Sequence, residues 1–141
     1  MNYYKKTEEL LYSYKTLIAE IKNLQIEISE IEYIGCGAMS YEERIQSSNA
    51  FNSAVENEIL HREKEIGRLK DIIFTKENDV KKIDNALEVL DERSREIIKL
   101  KFFDNVSSKV IAIRVDVTTE WLCTLKNNAV NKMSNLILHI S

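Results

Sequence analysis

The side chains best suited to chemistry in this sequence lie between Ser107 and Ile137, in the stretch SSKVIAIRVDVTTEWLCTLKNNAVNKMSNLI. Thr118, Thr119, Thr124, Asn127, Asn128 and Asn131 are hydrogen-bonding groups of the kind that read base edges. An Asn carboxamide sets an acceptor beside a donor, the pattern that meets adenine in two bonds, and Asn127, Asn128 or Asn131 could make that contact. The cations of the same stretch are Lys109, Arg114, Lys126 and Lys132, whose chemistry is phosphate neutralisation. No catalytic constellation accompanies them. There is no Gly-rich phosphate loop and no Ser/His/Asp arrangement on a nucleophile elbow. Carboxylates are abundant, but they sit among lysines, as in Glu63-Lys64-Glu65 and Lys76-Glu77, which is the pattern of a solvated helix face. Cys36, His61, Cys123 and His139 lack metal-ligand spacing. The expectation is therefore no enzyme, no metal and no cofactor, with Cys123 a small buried or half-buried thiol.

Those residues need a scaffold, and the pattern around them supplies a helix-turn-helix. Ser107 can cap a short first helix that turns Val110, Ile111 and Ile113 toward a core, with Ala112 small enough for close helix contact. Thr118 can cap a longer second helix with Glu120 at the positive end of its dipole. In it Leu122, Leu125, Ala129, Val130, Met133, Leu136 and Ile137 recur at spacings of three and four. Cys123, Thr124, Lys126, Asn127, Asn128 and Asn131 are left on the other face. A helix-turn-helix lays that face in the major groove of DNA. Trp121 can be a core or staple residue, or else a contact with DNA backbone or a protein partner.

Composition supports an all-α chain: 141 residues contain no Pro and three Gly. The formal net charge of -3 does not mark a nucleic-acid binder, yet the charge is uneven. Residues 1–91 carry 12 basic and 18 acidic side chains, whereas residues 92–141 carry 8 and 5. The basic end is the helix-turn-helix end, a modest bias toward phosphate. Two cysteines far apart suggest neither a disulfide framework nor a zinc ribbon, and fit a reducing cytoplasm. The start, MNYYKKTEELL, lacks the apolar core of a secretory signal, and no run is long enough to span a bilayer. A soluble cytoplasmic protein is expected.

Upstream, Leu10, Tyr14, Leu17, Ile21, Leu24, Ile28 and Ile31 alternate by four and three, a heptad seam that asks for a partner helix. Leu11, Ile18 and Ile34 widen the stripe. The spacing predicts that this helix ends near Ile34, at Gly35-Cys36-Gly37, and that Ser40 and Glu43 form a capping box. Ser47 to Ser53 reads as either a loop or a frayed turn. A second seam runs through Val55, Ile59, Arg62, Ile66, Leu69, Ile73, Lys76, Val80, Ile83, Leu87 and Leu90, with a bend expected near Asn78-Asp79. Two such helices most simply fold back as an antiparallel, coiled-coil-like hairpin. Asp91 should cap a further helix from Glu92 to about Phe103, ended by Asp104-Asn105. The expected organisation is a helical hairpin over residues 1–78 and a helix-turn-helix domain over 79–141.

Residues 85–133, NALEVLDERSREIIKLKFFDNVSSKVIAIRVDVTTEWLCTLKNNAVNKM, resemble region 4 of sigma-70-type factors. The resemblance rests on Leu87 and Leu90, the acidic and arginine-bearing Asp91 to Glu96, Ile97 to Phe103, Ile111-Ala112, the turn at Val115–Val117, and Leu125, Ala129, Val130 and Met133. With its long N-terminal helices the whole chain looks like phage and prophage regulators of the ArpU and RinA type. Gly35 to Glu43 is also similar to clostridial members. The resemblance implies sequence-specific binding of double-stranded DNA in transcription control, with RNA polymerase as a further partner and no enzymatic step. Related recognition helices usually carry Arg or Lys where Cys123, Thr124, Asn127 and Asn128 stand, and sigma-type turns often have Gly in place of Asp116. A cation-poor helix binds weakly as a monomer, so a homodimer or polymerase would have to help. The rival reading is a protein-interaction module whose degenerate helix-turn-helix binds polymerase or another partner. A terminase-like DNA binder usually has the opposite order of helix-turn-helix and oligomerising helices.

Overall fold

The computed structural model describes residues 2–42 and 49–139, and among them every regular element is a helix. In chain order these are α1 (Tyr3–Tyr12), α2 (Tyr14–Glu42), α3 (Asn49–Val89), α4 (Glu92–Ile98), which continues as a π-helical turn (Lys99–Phe103), α5 (Ser108–Arg114) and α6 (Thr119–Ile137). The all-α expectation holds. The chain divides into two compact units, one of Met1–Ile18 with Asn78–Ser141 and the other of Ala19–Glu77, so α2 and α3 each contribute to both.

The second unit is the antiparallel pairing that the seams ask for. Ile28, Leu69 and Ile73 are buried together, with Ile21, Leu24, Ile31 and Ile66 packed around them. Glu20 pairs with Lys76, so positions early in α2 meet positions late in this stretch of α3. The seam's other cation, Arg62, folds back on Glu58 one turn earlier in α3. Both charges interrupting the heptad thus find carboxylates at the edge of the apolar strip.

Four local expectations are corrected. α2 does not stop at Ile34; its backbone stays helical through Gly35 and Gly37 to Glu42. Each glycine costs a helix about 1 kcal/mol, but a helix already nucleated over five turns propagates through two such residues. Ser40 is consequently inside α2 and cannot open a helix as the first member of a capping box, while Glu43 lies outside the described residues. The stretch from Ser47 to Ser53, expected as a loop or a frayed turn, is helical from Asn49 onward, with Ser47 and Ser48 outside the described residues. The first seam is not one helix either. It breaks at Ser13, whose hydroxyl donates to the Leu10 carbonyl (2.7 Å) and whose N–H is shared between the Glu9 and Leu10 carbonyls. A side chain that competes for the backbone in this way favours a turn over continued helix.

α1 and the first residues of α2 both belong to the first unit. Leu11, fully buried, lies in one core with Ile83, Leu87, Leu90, Ile98, Phe102, Val130, Met133 and Ile137. Tyr4, Leu10, Tyr14 and Leu17 pack against it. The first residues of the chain, expected in the hairpin, therefore share a core with the C-terminal helices. Tyr12 meets Phe102 edge-on (4.8 Å between centroids) and Tyr14 stacks on Phe103 (4.1 Å). Tyr14 also donates to Asp84 (2.7 Å); burial and that bond push its phenol up to about 12.

Between α3 and α4 the chain turns sharply. Asp91 caps α4 by accepting from the Ser94 N–H (3.1 Å), and the Ser94 side chain, then this N–H, hold its carboxyl below the usual range. Arg95 reaches back across the turn and donates to the carbonyls of Leu87 (3.1 Å), Glu88 (3.4 Å) and Leu90 (3.1 Å). A guanidinium at a helix C-terminus satisfies carbonyls that have no partner within the helix and meets the negative end of the dipole. α4 and its π turn then divide two cores. Ile98 and Phe102 face the α1/α3/α6 core, while Ile97 and Leu100 face a smaller one with Ile111, Ala112, Val115 and Leu122.

Candidate nucleic-acid interface

α5 and α6 are set against each other by caps that the residue types demand. Ser107 accepts from the Val110 N–H (3.5 Å) and Thr118 accepts from the Trp121 N–H (3.1 Å), so both expected N-caps are in place. Between them the chain closes α5 with a reciprocal pair of bonds: Val117 N–H donates to the Ala112 carbonyl (3.0 Å) and Asp116 N–H to that of Ile113 (3.3 Å). This closure requires a left-handed residue, and Asp116 adopts φ 56. Gly is the usual occupant of such a position; Asp tolerates it through local polar interactions.

The short helix buries less than its sequence suggests. Ile111 and Ala112 are buried, but Val110 is 42% and Ile113 80% exposed, against expectation. On a helix turning about 100° per residue, Ile111, Ala112 and Val115 share one side and Val110 and Ile113 fall away from it. In α6, Leu122, Ala129, Val130, Met133 and Ile137 are buried as expected, joined by Ser134, whereas Leu136 is exposed. Ser134 donates to the Tyr3 carbonyl (3.4 Å), a contact that fixes α1 along α6.

What remains outward on α6 is the face a major groove would meet. Thr118, Thr119, Thr124, Asn127, Asn128, Asn131 and Lys132 are all exposed, Lys126 is half-buried, and Lys109 and Arg114 are exposed on α5. Several are already engaged. The Thr118 hydroxyl holds the cap, and Thr124 donates to the Glu120 carbonyl (3.3 Å). Asn127 accepts from the Tyr4 phenol (2.7 Å), and its amide approaches the Cys123 sulfur (3.8 Å). Burial, then the neighbouring Glu8 carboxylate, push the Tyr4 phenol up to about 12, so it is a neutral donor at physiological pH. Asn128, Asn131 and Lys132 have no side-chain partner among the described residues. They are therefore the groups most available to an external ligand. Cys123 is exposed rather than buried, because the core side of α6 is taken by Leu122, Ala129 and Val130. Trp121 is 50% exposed, so it is not a core residue.

The sequence reading missed two contributors. Tyr4 lies more than a hundred positions from the residue it holds, and no local signal links them. Lys101, on the π turn, lies half-buried near α5, where its ammonium donates to the Ser108 hydroxyl (3.4 Å). No groups of His, Cys, Asp and Glu able to hold a metal ion occur among the described residues, and no described helix is long and apolar enough to cross a membrane.

Comparison with known proteins agrees with this geometry. Residues 86–135 match the family model of Sigma-70, region 4, which spans the end of α3, all of α4 and α5, and most of α6. α1 and the α2/α3 pairing lie outside the match. Neither the search of curated proteins nor that of solved structures found a match. The C-terminal part of the chain is thus a helix-turn-helix similar to sigma-70 region 4, a kind of domain suited to DNA binding in transcription and to contact with RNA polymerase.

Proposed function

We propose that the protein is a sequence-specific DNA-binding transcriptional regulator of a phage or prophage element, acting without an enzymatic step. The observation that carries the reading is the outward face of α6: Asn128 and Asn131 stand exposed and unpartnered on a rigidly capped second helix of a region-4-like helix-turn-helix. Asn128, Asn131 and Thr124 read bases from that face, while Lys109, Arg114, Lys126 and Lys132 meet phosphates. Asn127, held by Tyr4, serves as a positioned neighbour of the reading groups. The phage context is supported by the resemblance of the long-helix plus helix-turn-helix arrangement to ArpU and RinA-type regulators. A DNA reader of this kind works in the cytoplasm, and a homodimer would offset the small number of cations on α6.

A second reading is favoured by one observation. Ile113, 80% exposed on α5, together with Val110 and half-exposed Trp121, gives the helix-turn-helix more apolar surface than a pure DNA reader needs. On this reading the domain binds RNA polymerase or another protein. A titration of labelled duplex DNA at several salt concentrations separates the two. Binding that falls steeply with salt and weakens when Lys126 and Lys132 are both changed to Ala supports DNA recognition. Absence of binding at low salt, with or without polymerase, refutes it.

A further inference from the structure

Beside the reading face, α4's π turn, α5 and α6 enclose a small notch of about 50 Å³. Ile97, Ile111 and Leu122 line it on the apolar side, joined by Cys123, and its polar lining residues are Lys101, Ser108, Thr119 and Lys126. None of the residues lining it is acidic. Both lysines are half-buried, yet neither forms an ion pair among the described residues. Two lysines line one partly buried notch without a counter-charge, so an anion placed in it would be attracted by both. The Ser108 hydroxyl already accepts from Lys101, so its own proton can be donated to an incoming oxygen. Thr119 is the first residue of the nineteen-residue α6, where the helix dipole adds to the same positive field.

We propose that this notch holds one phosphate of the DNA backbone, clamped jointly by Lys101 and Lys126. The assignment rests on the DNA-binding reading above and deepens it. It adds Lys101, which no sequence pattern connects with the reading helix, and gives Lys126 a defined partner. A contact with a backbone phosphate sets the register of the protein on the duplex and carries no sequence information itself.

The two lysines share one phosphate, and that is what an experiment can read. The affinity of the full chain for a short random-sequence duplex is measured at several salt concentrations, for the wild type and for Lys101→Gln, Lys126→Gln and the double variant. Gln removes the charge while keeping the first two methylenes of the stem, and circular dichroism checks that helicity is retained. Neutralising one phosphate contributes about 0.9 to the slope of log affinity against log salt. The double variant should therefore lose about 0.9, and the single variants should not add. The double Lys→Arg variant should restore the slope. A double-variant loss of about 1.8 means separate phosphates and overturns the shared clamp, as does an unchanged slope. If the wild type itself binds no duplex, the DNA-binding reading fails and this inference with it; if it binds with an unaltered slope in the variants, only the inference fails. Inorganic phosphate titrated at constant ionic strength, followed through the Ser108 and Thr119 amide resonances, separates the two sources of the anion. Shifts with phosphate but none with duplex would make the notch a free-anion site and overturn its assignment to the DNA backbone.

Discussion

Leu11→Ala is the sharpest perturbation of the architecture, because the residue lies far outside the region-4-like segment yet is fully buried in the core of its unit. Leu11 shares that core with Val130 and Met133 of α6 and with Ile83 and Leu87 of α3. Truncation removes the transfer free energy of the lost methyl groups and leaves a cavity walled by three helices that cannot all collapse into it. The expected cost is about 2–5 kcal/mol, the range of buried Leu→Ala changes. For a domain of this size each kcal/mol lowers Tm by about 4–8 °C, so the shift should be roughly 8 °C or more. The assay is urea unfolding followed by the fluorescence of Trp121, the chain's single tryptophan, which stands on α6 and reports on this unit. Tyr33→Ala, at a residue 81% exposed on α2, is the control and should stay within about 0.5 kcal/mol of wild type. A Leu11→Ala protein that loses less than about 0.5 kcal/mol would refute the claim that α1 is part of the helix-turn-helix unit.

Other consequences follow from single contacts. Arg95→Met removes three hydrogen bonds at the end of α3 and should cost about 1.5–3 kcal/mol in the same urea assay, with Lys recovering only part because it lacks the planar fork. Asp116→Gly should raise stability by up to about 1 kcal/mol by relieving a left-handed backbone, whereas Asp116→Val should lower it; equal stabilities would remove the strain argument. The phenols of Tyr4 and Tyr14 have folded-state values raised from 10.0 to about 12. Their contribution is fully present below pH 10 and lost as pH rises through 12, since the unfolded chain gives up these protons first. Thermal melts across that window should show falling stability, and Tyr4→Phe with Tyr14→Phe should flatten the fall.

Much of this fold could be read from the sequence because periodicity and caps are local. The heptad seams, the caps at Asp91, Ser107 and Thr118, and the buried face of α6 from Leu122 to Ile137 all follow from neighbours within a turn or two. The misreadings have equally local causes. Gly35 and Gly37 read as a stop in the sequence, but glycine weakens a helix without forbidding it, and the backbone stays helical to Glu42. The heptad spacing carries no sign of the interruption at Ser13, whose hydroxyl competes for the Leu10 carbonyl. Val110 and Ile113 are apolar yet exposed, because a seven-residue helix has only one face to bury. At the candidate site the exposed Asn and Thr residues of α6 were legible from their phase opposite the core. The Tyr4–Asn127 bond and the Lys101–Lys126 notch were not, since each depends on how separate elements dock.

The central claim, that the outward face of α6 reads DNA sequence, is tested most directly by selection from a random duplex library with the full chain, repeated with Asn128→Ala and Asn131→Ala. Enrichment of one motif by the wild type, with preference relaxed at a single motif position in each variant, is the result the account predicts. No enriched motif for the wild type, or an identical motif for all three proteins, would contradict it.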